Sequence, residues 1–153
     1  MTSHTSGIFA TMAQTLSAST AHMAAAFEQP IADLMQRNVI TIRLDDTLAD
    51  AQRLLIAHGL SWAPVVDGGS AALGVISESD LLLFQAAGHD AASTRAWQVC
   101  TYRPVTVSPD TPVGVVAKLM VERRIHHVVV VNEGEIVGVA SSMDFLRVMS
   151  GAA

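Results

Sequence analysis

The sequence predicts a mixed α/β (α+β) fold: two β-α-β-β-α units packed about a pseudo-two-fold axis, behind a part-helical N-terminal extension. Three observations carry this. First, the chain repeats itself. Moving Thr41–Asp67 along by 65 residues lays it over Thr106–Asn132, matching Thr41 with Thr106, Asp45 with Asp110, Leu54 with Leu119 and Val65-Val66 with Val130-Val131. Second, one residue drops out where Asp67-Gly68-Gly69-Ser70 meets Asn132-Glu133-Gly134. Beyond that point Gly74, Val75, Ser77, Asp80 and Leu82 lie over Gly138, Val139, Ser141, Asp144 and Leu146. A lone gap in a turn is the mark of a duplicated unit. Third, each copy alternates short β-branched runs with stretches of helical periodicity, and a unit of that size cannot cover its own sheet.

Residues 1–29 are the extension. Met1–Phe27 holds no Asp, Glu, Lys or Arg, and Ile8, Met12 and Leu16 recur every four positions beside Phe9, with Met23, Ala26 and Phe27 continuing the pattern. That spacing gives one or two weakly amphipathic helices, either a free leader or packed on another subunit. The missing basic n-region and the Thr, Gln, Ser and His interruptions speak against a signal peptide. Residues 30–90 form the first unit and 91–153 the second.

In each unit a short β-branched strand comes first, Val39–Ile42 and then Val105–Val107. A helix follows. In copy one Asp45, Asp46 and Thr47 offer an N-cap before Leu48, Ala51 and Leu55, and Gly59 can close the C-terminus. In copy two Thr111 precedes Pro112, suited to the first helical position, and Val113, Val116 and Met120 form the stripe. Ala63–Val66 and Val128–Val131 are too short for helices and are bounded by polar turns, hence buried strands. Leu73–Ile76 and Ile136–Ala140 complete hairpins, and a closing helix begins near Asp80 and Asp144.

Composition narrows the function. Of 153 residues half are apolar and 15% charged, with a mean hydropathy of +0.39, which excludes disorder over most of the length. No apolar run approaches the roughly 18–20 residues of a membrane helix. Net charge is −5, and Lys118 is the only lysine among nine basic residues, which speaks against nucleic acid and anionic lipid as partners. The single cysteine, Cys100, fits a reducing cytosol, so a cytoplasmic location is expected. No GxSxG, HExxH, P-loop or CxxC occurs, and Cys100 lies in an apolar lead-in without an activating partner, so no enzyme is expected. A metal site is not expected either. Adjacent His126 and His127 on an extended strand point to opposite faces, and no Cys or His completes a ligand set.

Ile31-Ala32-Asp33-Leu34-Met35, Val39–Ile42, Pro64-Val65-Val66-Asp67 and Gly74-Val75-Ile76-Ser77-Glu78-Ser79-Asp80 resemble the pattern of a CBS domain. Copy two resembles it more loosely, with Trp97-Gln98-Val99-Cys100 as lead-in, Val129 where proline is usual, and Ala140 before the serine. From about Pro30 to Met149 the chain thus resembles a tandem CBS pair, or Bateman module. The resemblance implies a non-catalytic regulatory module that binds an adenosine-containing ligand (AMP, ADP, ATP or S-adenosylmethionine) in the cleft between the two domains, with no cofactor required.

The resemblance also implies the ligand residues. Ser77 and Asp80 of copy one, and Ser141 and Asp144 of copy two, match the family's clamp, in which the aspartate takes the ribose hydroxyls and the serine reaches the phosphate. A vicinal diol presents two donors, and an ionised carboxylate accepts both without a competing donor. The start of a helix also favours an anion. Thr41 and Thr106 fall where relatives contact base and sugar, and the backbone of Ile40 and Val105 would read the adenine edge. His126 matches a phosphate-facing histidine of nucleotide-binding relatives, and His127 stands where they have arginine. Ser61-Trp62 are the copy-one counterparts. The expectation is two unequal clefts, the His126/His127 side favouring phosphorylated ligands. Family habit further implies a homodimer. With no effector domain in the sequence, the output is expected to pass through another chain, an effector protein that reads the arrangement of the two copies.

Plainer readings of the same residues stand beside these. Ser-x-x-Asp ahead of an apolar run is also a helix N-terminus. His126 and His127 read equally as a surface pair beside Arg123 and Arg124, Trp62 as a packing residue, and Lys118 as a solvated side chain matching Arg53. On those readings the module is a ligand-free dimerisation or scaffold element.

Overall fold

A computed structural model of the chain describes residues 5–151, and the backbone alone for residues 5–13 and 16. The apolar positions Ile8, Phe9, Met12 and Leu16 therefore lie outside the described side chains. The extension is one helix, α1 (Thr5–Glu28). The first copy then runs β1 (Ile42–Arg43), α2 (Leu48–His58), β2 (Trp62–Val66), β3 (Ala72–Ser77) and α3 (Glu78–Ala86). A short β4 (Thr101–Tyr102) precedes the second copy, β5 (Thr106–Val107), α4 (Val113–Arg123), β6 (His127–Asn132), β7 (Glu135–Ser141) and α5 (Ser142–Met149). Single turns of 3-10 helix at Ile31–Asp33 and Ala96–Gln98 lead into the two copies. The C-terminal end of α1 packs on α4 and α5 of its own chain, with Phe27 against the second core. Gly114 eases this approach, since a Cβ there would lie a tight 3.2 Å from the Phe27 carbonyl oxygen.

The expected β-α-β-β-α order appears twice. In each copy a two-residue parallel ladder (Ile42 with Val65, Thr106 with Val129) joins an antiparallel hairpin. The sheets run β1-β2-β3-β4 and β5-β6-β7. Three local expectations need correction. The first strands are shorter than Val39–Ile42 and Val105–Val107. Residues 39–41 leave the ladder, Val39 N–H bonding back to the Arg37 carbonyl at 3.1 Å, whereas Val105 keeps one bond, accepting from Val129 N–H at 3.0 Å. Pro112 is the N-cap of α4 and not its first residue, because its ψ of 140° is extended and not helical, and Val113 N–H, the first of the helix, is met by the Gln29 carbonyl at 2.8 Å. The closing helices begin at Glu78 and Ser142, since Ser77 and Ser141 are the caps and Asp80 and Asp144 sit three residues in. Thr47 caps α2, accepting from Asp50 N–H at 3.0 Å, and Gly59 closes it at φ +62°. Its counterpart at the end of α4, Arg124, adopts φ +53° without glycine's freedom.

The packing units interleave across the sequence. Ile31 and Met35, which precede the first copy, are buried in the core of the second with Val113, Val116, Met120, Val128, Val130 and Phe145. Ala96 and Cys100, which precede the second copy, are buried in the core of the first with Ile42, Leu48, Leu55, Val65 and Ile76. The backbone shows the same exchange. Ile31 N–H bonds Thr111 O and Ala32 N–H bonds Pro109 O, while Ala96 N–H bonds Asp46 O and Trp97 N–H bonds Leu44 O. These are the same two bonds, 65 positions apart. Likewise β4 pairs with β3 at Thr101 and Val75, and Gln36 bridges Val139. Glycine lets each lead-in cross its hairpin. A Cβ on Gly74 would meet the Thr101 carbonyl at 2.8 Å, and one on Gly138 would meet Met35 Cγ at 2.7 Å.

Candidate ligand clefts

The exchanged lead-ins bring the acidic cap of one copy against the entry strand of the other, so two clefts form and each contains both copies. The pseudo-two-fold passes between Trp62 and His127, equivalent residues of the repeat whose rings stack at 4.1 Å with 14° between planes. Trp62 lines one cleft and His127 the other.

The first cleft, about 210 Å³, takes Ser77 and Asp80 from the first copy, with Arg103, Val105 and His127 from the second among its walls. Asp80 is fixed by its own cap. Ser77 N–H and Ser77 Oγ both donate to Asp80 Oδ2, at 2.8 and 2.9 Å. Among the described residues none donates to Asp80 Oδ1, and the residue is half-buried on the cleft wall. Burial holds the His127 imidazole below the ordinary 6.5, His126 adds to that, and Asp80 pulls the other way. The neutral ring is therefore the resting form at pH 7.

The second cleft, about 590 Å³, is built from the same positions with different residues. Ser141 and Asp144 face Gln36, Asn38, Ile40, Ser61 and Trp62, with Arg147 on the rim. Ser141 N–H and Oγ hold Asp144 Oδ2 at 2.8 and 3.1 Å, as in the first cleft. The other oxygen is occupied here. Gln36 Nε2 donates to Asp144 Oδ1 at 3.3 Å and Arg147 Nη1 at 3.2 Å. Asp144 is 7% exposed.

The structure thus places Ser77, Asp80, Val105 and His127 together, and Ile40, Ser141 and Asp144 together. It does not join His126 to His127. His126 is exposed and lines a separate apolar groove with Phe27, Met120 and Phe145, in the bend just ahead of β6. Thr41 and Thr106 are each one residue past a wall residue and line neither cleft. Sequence reasoning missed Arg103, Gln36, Asn38 and Arg147. The repeat pairs Arg103 with Asn38, but only the crossed lead-ins carry them into the clefts. Arg147, one turn beyond Asp144, was legible as an i,i+3 partner. Among the described residues no group of His, Cys, Asp and Glu is arranged to hold a metal, and no helix is long and apolar enough to cross a membrane.

Two interleaved β-α-β-β-α units, each with the same acidic helix cap, define a tandem-repeat module. The CBS domain family model matches residues 31–87 and 96–151, and the chain belongs to that family. It is similar to a mitochondrial CBS domain-containing protein of Arabidopsis thaliana, CBSX3, at 32% identity over 67% of this chain and 52% of that protein. The CBS domain of a CBS domain containing membrane protein from Sphaerobacter thermophilus superposes with a TM-score of 0.75 at 27% identity, covering 89% of this chain and 97% of that one. The CBS domain pair of protein MJ0100, solved with 5'-methylthioadenosine and S-adenosyl-L-methionine, gives 0.70 at 26% identity, over 77% and 97%. Against the first curated relatives the chain spans 22%, 44% and 52% of their length. CBS pairs are regulatory modules, and some relatives, inosine-5'-monophosphate dehydrogenase of Korarchaeum cryptofilum among them, are enzymes that this chain matches over a minor part.

Proposed function

We propose that this chain is a regulatory sensor that binds an adenosine-containing ligand in the clefts between its two CBS units, without catalysing a reaction. One observation carries the reading: Asp80 is held by its own cap with one carboxylate oxygen left to accept, on a cleft wall that also bears Arg103 and His127. A ribose diol supplies the donors that this oxygen lacks, and the two basic side chains face whatever the ribose carries. The ligands of the MJ0100 pair support the adenosine class. The first cleft is smaller than the roughly 300–1,000 Å³ usual for small-molecule sites, so a nucleotide there widens it or leaves part of itself in solvent. A ligand touching both copies favours one arrangement of them, and a partner chain reads that arrangement.

A homodimer is the second element of the proposal. Ile56, Leu82 and Leu83 on the first copy's helices, and Val121 on the second's, are 70–79% exposed, which supports a face covered by a second chain. The test is a thermal-shift panel on the full chain with AMP, ADP, ATP, S-adenosylmethionine and GMP. The midpoint rises with at least one adenosine compound and not with GMP. No rise with any of them at millimolar concentration contradicts ligand binding and leaves the scaffold reading, which light scattering then tests as a dimer.

A further inference from the structure

The stacked pair at the pseudo-two-fold has a role that the clamp residues do not describe. His127 is half-buried, its ring lies flat on the indole of Trp62, and it lines the cleft that contains Asp80 and Arg103. The groups bearing on its charge are Asp80 on α3, Arg103 ahead of β5 and His126 on its own segment. Its antiparallel partner on β7 is Ser141, which carries no charge.

We propose that the His127–Trp62 pair makes the Asp80 cleft a proton-linked site. A phosphate entering the cleft converts His127 to the imidazolium, the proton coming from the buffer, and the cation is stabilised on the face of Trp62. The inference rests on the adenosine reading and sharpens its ligand class to phosphorylated compounds. Two opposing effects are in balance at the ring. Burial and His126 favour the neutral form while the cleft is empty. An anion beside the ring reverses that preference, and an indole face at 4.1 Å is well placed to hold a cation. The free energy of protonating His127 is therefore spent only when a phosphate is present. Adenosine, with the same base and ribose, gains nothing from it. S-adenosylmethionine, which carries a sulfonium cation and no phosphate, leaves His127 neutral and meets the like charge of Arg103.

The linkage has a definite sign. Protons are taken up on binding, so the preference for AMP over adenosine grows as pH falls, by about tenfold for each unit by which the phosphate raises the His127 pKa. The phosphate's own second ionisation lies near pH 6, and the His127→Gln protein carries that effect alone.

The test uses the full chain bearing Trp97→Phe. Trp97 is 51% exposed, and its replacement leaves Trp62 as the sole tryptophan. An imidazolium quenches a stacked indole more strongly than a neutral imidazole does. Trp62 emission should fall as pH drops, with a midpoint below 6.5 in the ligand-free protein. Saturating AMP should move that midpoint up and adenosine should not. Calorimetry of the unmodified chain in two buffers of different ionisation heat should show net proton uptake with AMP and none with adenosine. His127→Gln should abolish the proton uptake and the pH response of Trp62 emission, leaving only the phosphate's own ionisation in the AMP affinity, while far-UV circular dichroism stays unchanged. Emission independent of pH between 5 and 8, or AMP binding without proton uptake, overturns the proposal while leaving the adenosine reading intact. Failure of AMP and adenosine to bind at all overturns the adenosine reading instead, and the ligand-free pH response still shows whether the ring pair titrates.

Discussion

The two clefts of this molecule share a frame and differ in what faces the carboxylate. Ser77 and Asp80 hold each other as Ser141 and Asp144 do, with donor distances within a few tenths of an ångström. Around the first pair stand Arg103 and His127, and Asp80 Oδ1 has no donor among the described residues. Around the second stand Asn38 and Trp62, while Gln36 and Arg147 occupy Asp144 Oδ1. One carboxylate keeps an oxygen without a donor among the described residues, and the other has both oxygens engaged within the fold. The difference teaches that a duplicated Ser-x-x-Asp can keep a free acceptor in one copy and lose it to neighbouring side chains in the other. Helix capping, common to both, decides neither role.

Exchanging the two carboxylates should break this comparison most sharply. Asp80→Asn removes the charge that faces the ribose and should weaken AMP binding by about 10- to 100-fold by calorimetry, as expected for hydrogen bonds to a charged group. Asp144→Asn should leave the tight site within a few-fold of the unmodified protein. For stability the order reverses. Asp144→Ala strips four hydrogen bonds from a buried carboxylate and should cost about 2–3 kcal/mol, against about 1 kcal/mol for Asp80→Ala, which loses mainly a helix cap. Urea unfolding measures both.

The glycines that let the lead-ins cross sharpen the same contrast. In Gly74→Ala the new methyl meets a backbone carbonyl, which cannot step aside without lifting β4. About 1–3 kcal/mol should be lost. Gly138→Ala presses on the Met35 thioether, a flexible chain, and should cost less in the same urea series. A smaller effect is expected from Arg147→Ala. It releases one donor from Asp144 Oδ1, and because the guanidinium is 60% exposed the pair is worth about 1 kcal/mol. In an Asp80→Asn background, where the second cleft stands alone, AMP affinity should therefore rise by no more than about fivefold.

The smallest effect is on pH. The His127 pKa is lowered in the folded chain, so the neutral ring's contribution is fully present above the unfolded value near 6.5 and is lost as pH falls through the folded one. The melting temperature of the ligand-free protein should drop below pH 6.5, and His127→Gln should flatten that part of the curve.

Much of this was legible before any coordinates. The repeat, its single gap, and the alternation of strand-like and helical runs placed every main element except β4, and Thr47 and Gly59 marked the ends of α2, while the closing helices start at the serine caps, ahead of Asp80 and Asp144. The crossing of the lead-ins was not legible, because Ile31 and Ala96 are equally apolar whichever core they enter. Only the hydrogen bonds of Ile31 to Thr111 and of Ala96 to Asp46 decide it. The cleft linings depend on that crossing. Arg103 and Asn38 stood at matched positions in the sequence, but nothing local tied Arg103 to Asp80. The spacing of His126 and His127 did show two faces. A shared cleft for them came from the resemblance, and the bend ahead of β6 places His126 in a different groove from His127.

The central claim is that the Asp80 cleft, not its twin, is the first to take an adenosine ligand. Amide chemical shifts of the labelled full chain, followed during titration with AMP, test this most directly. The account predicts that Asp80, Arg103 and His127 shift at the lowest AMP concentrations, while Gln36, Asn38 and Asp144 follow only at higher ones. Shifts that begin at Gln36, Asn38 and Asp144, or that grow in step at both clefts, would contradict it.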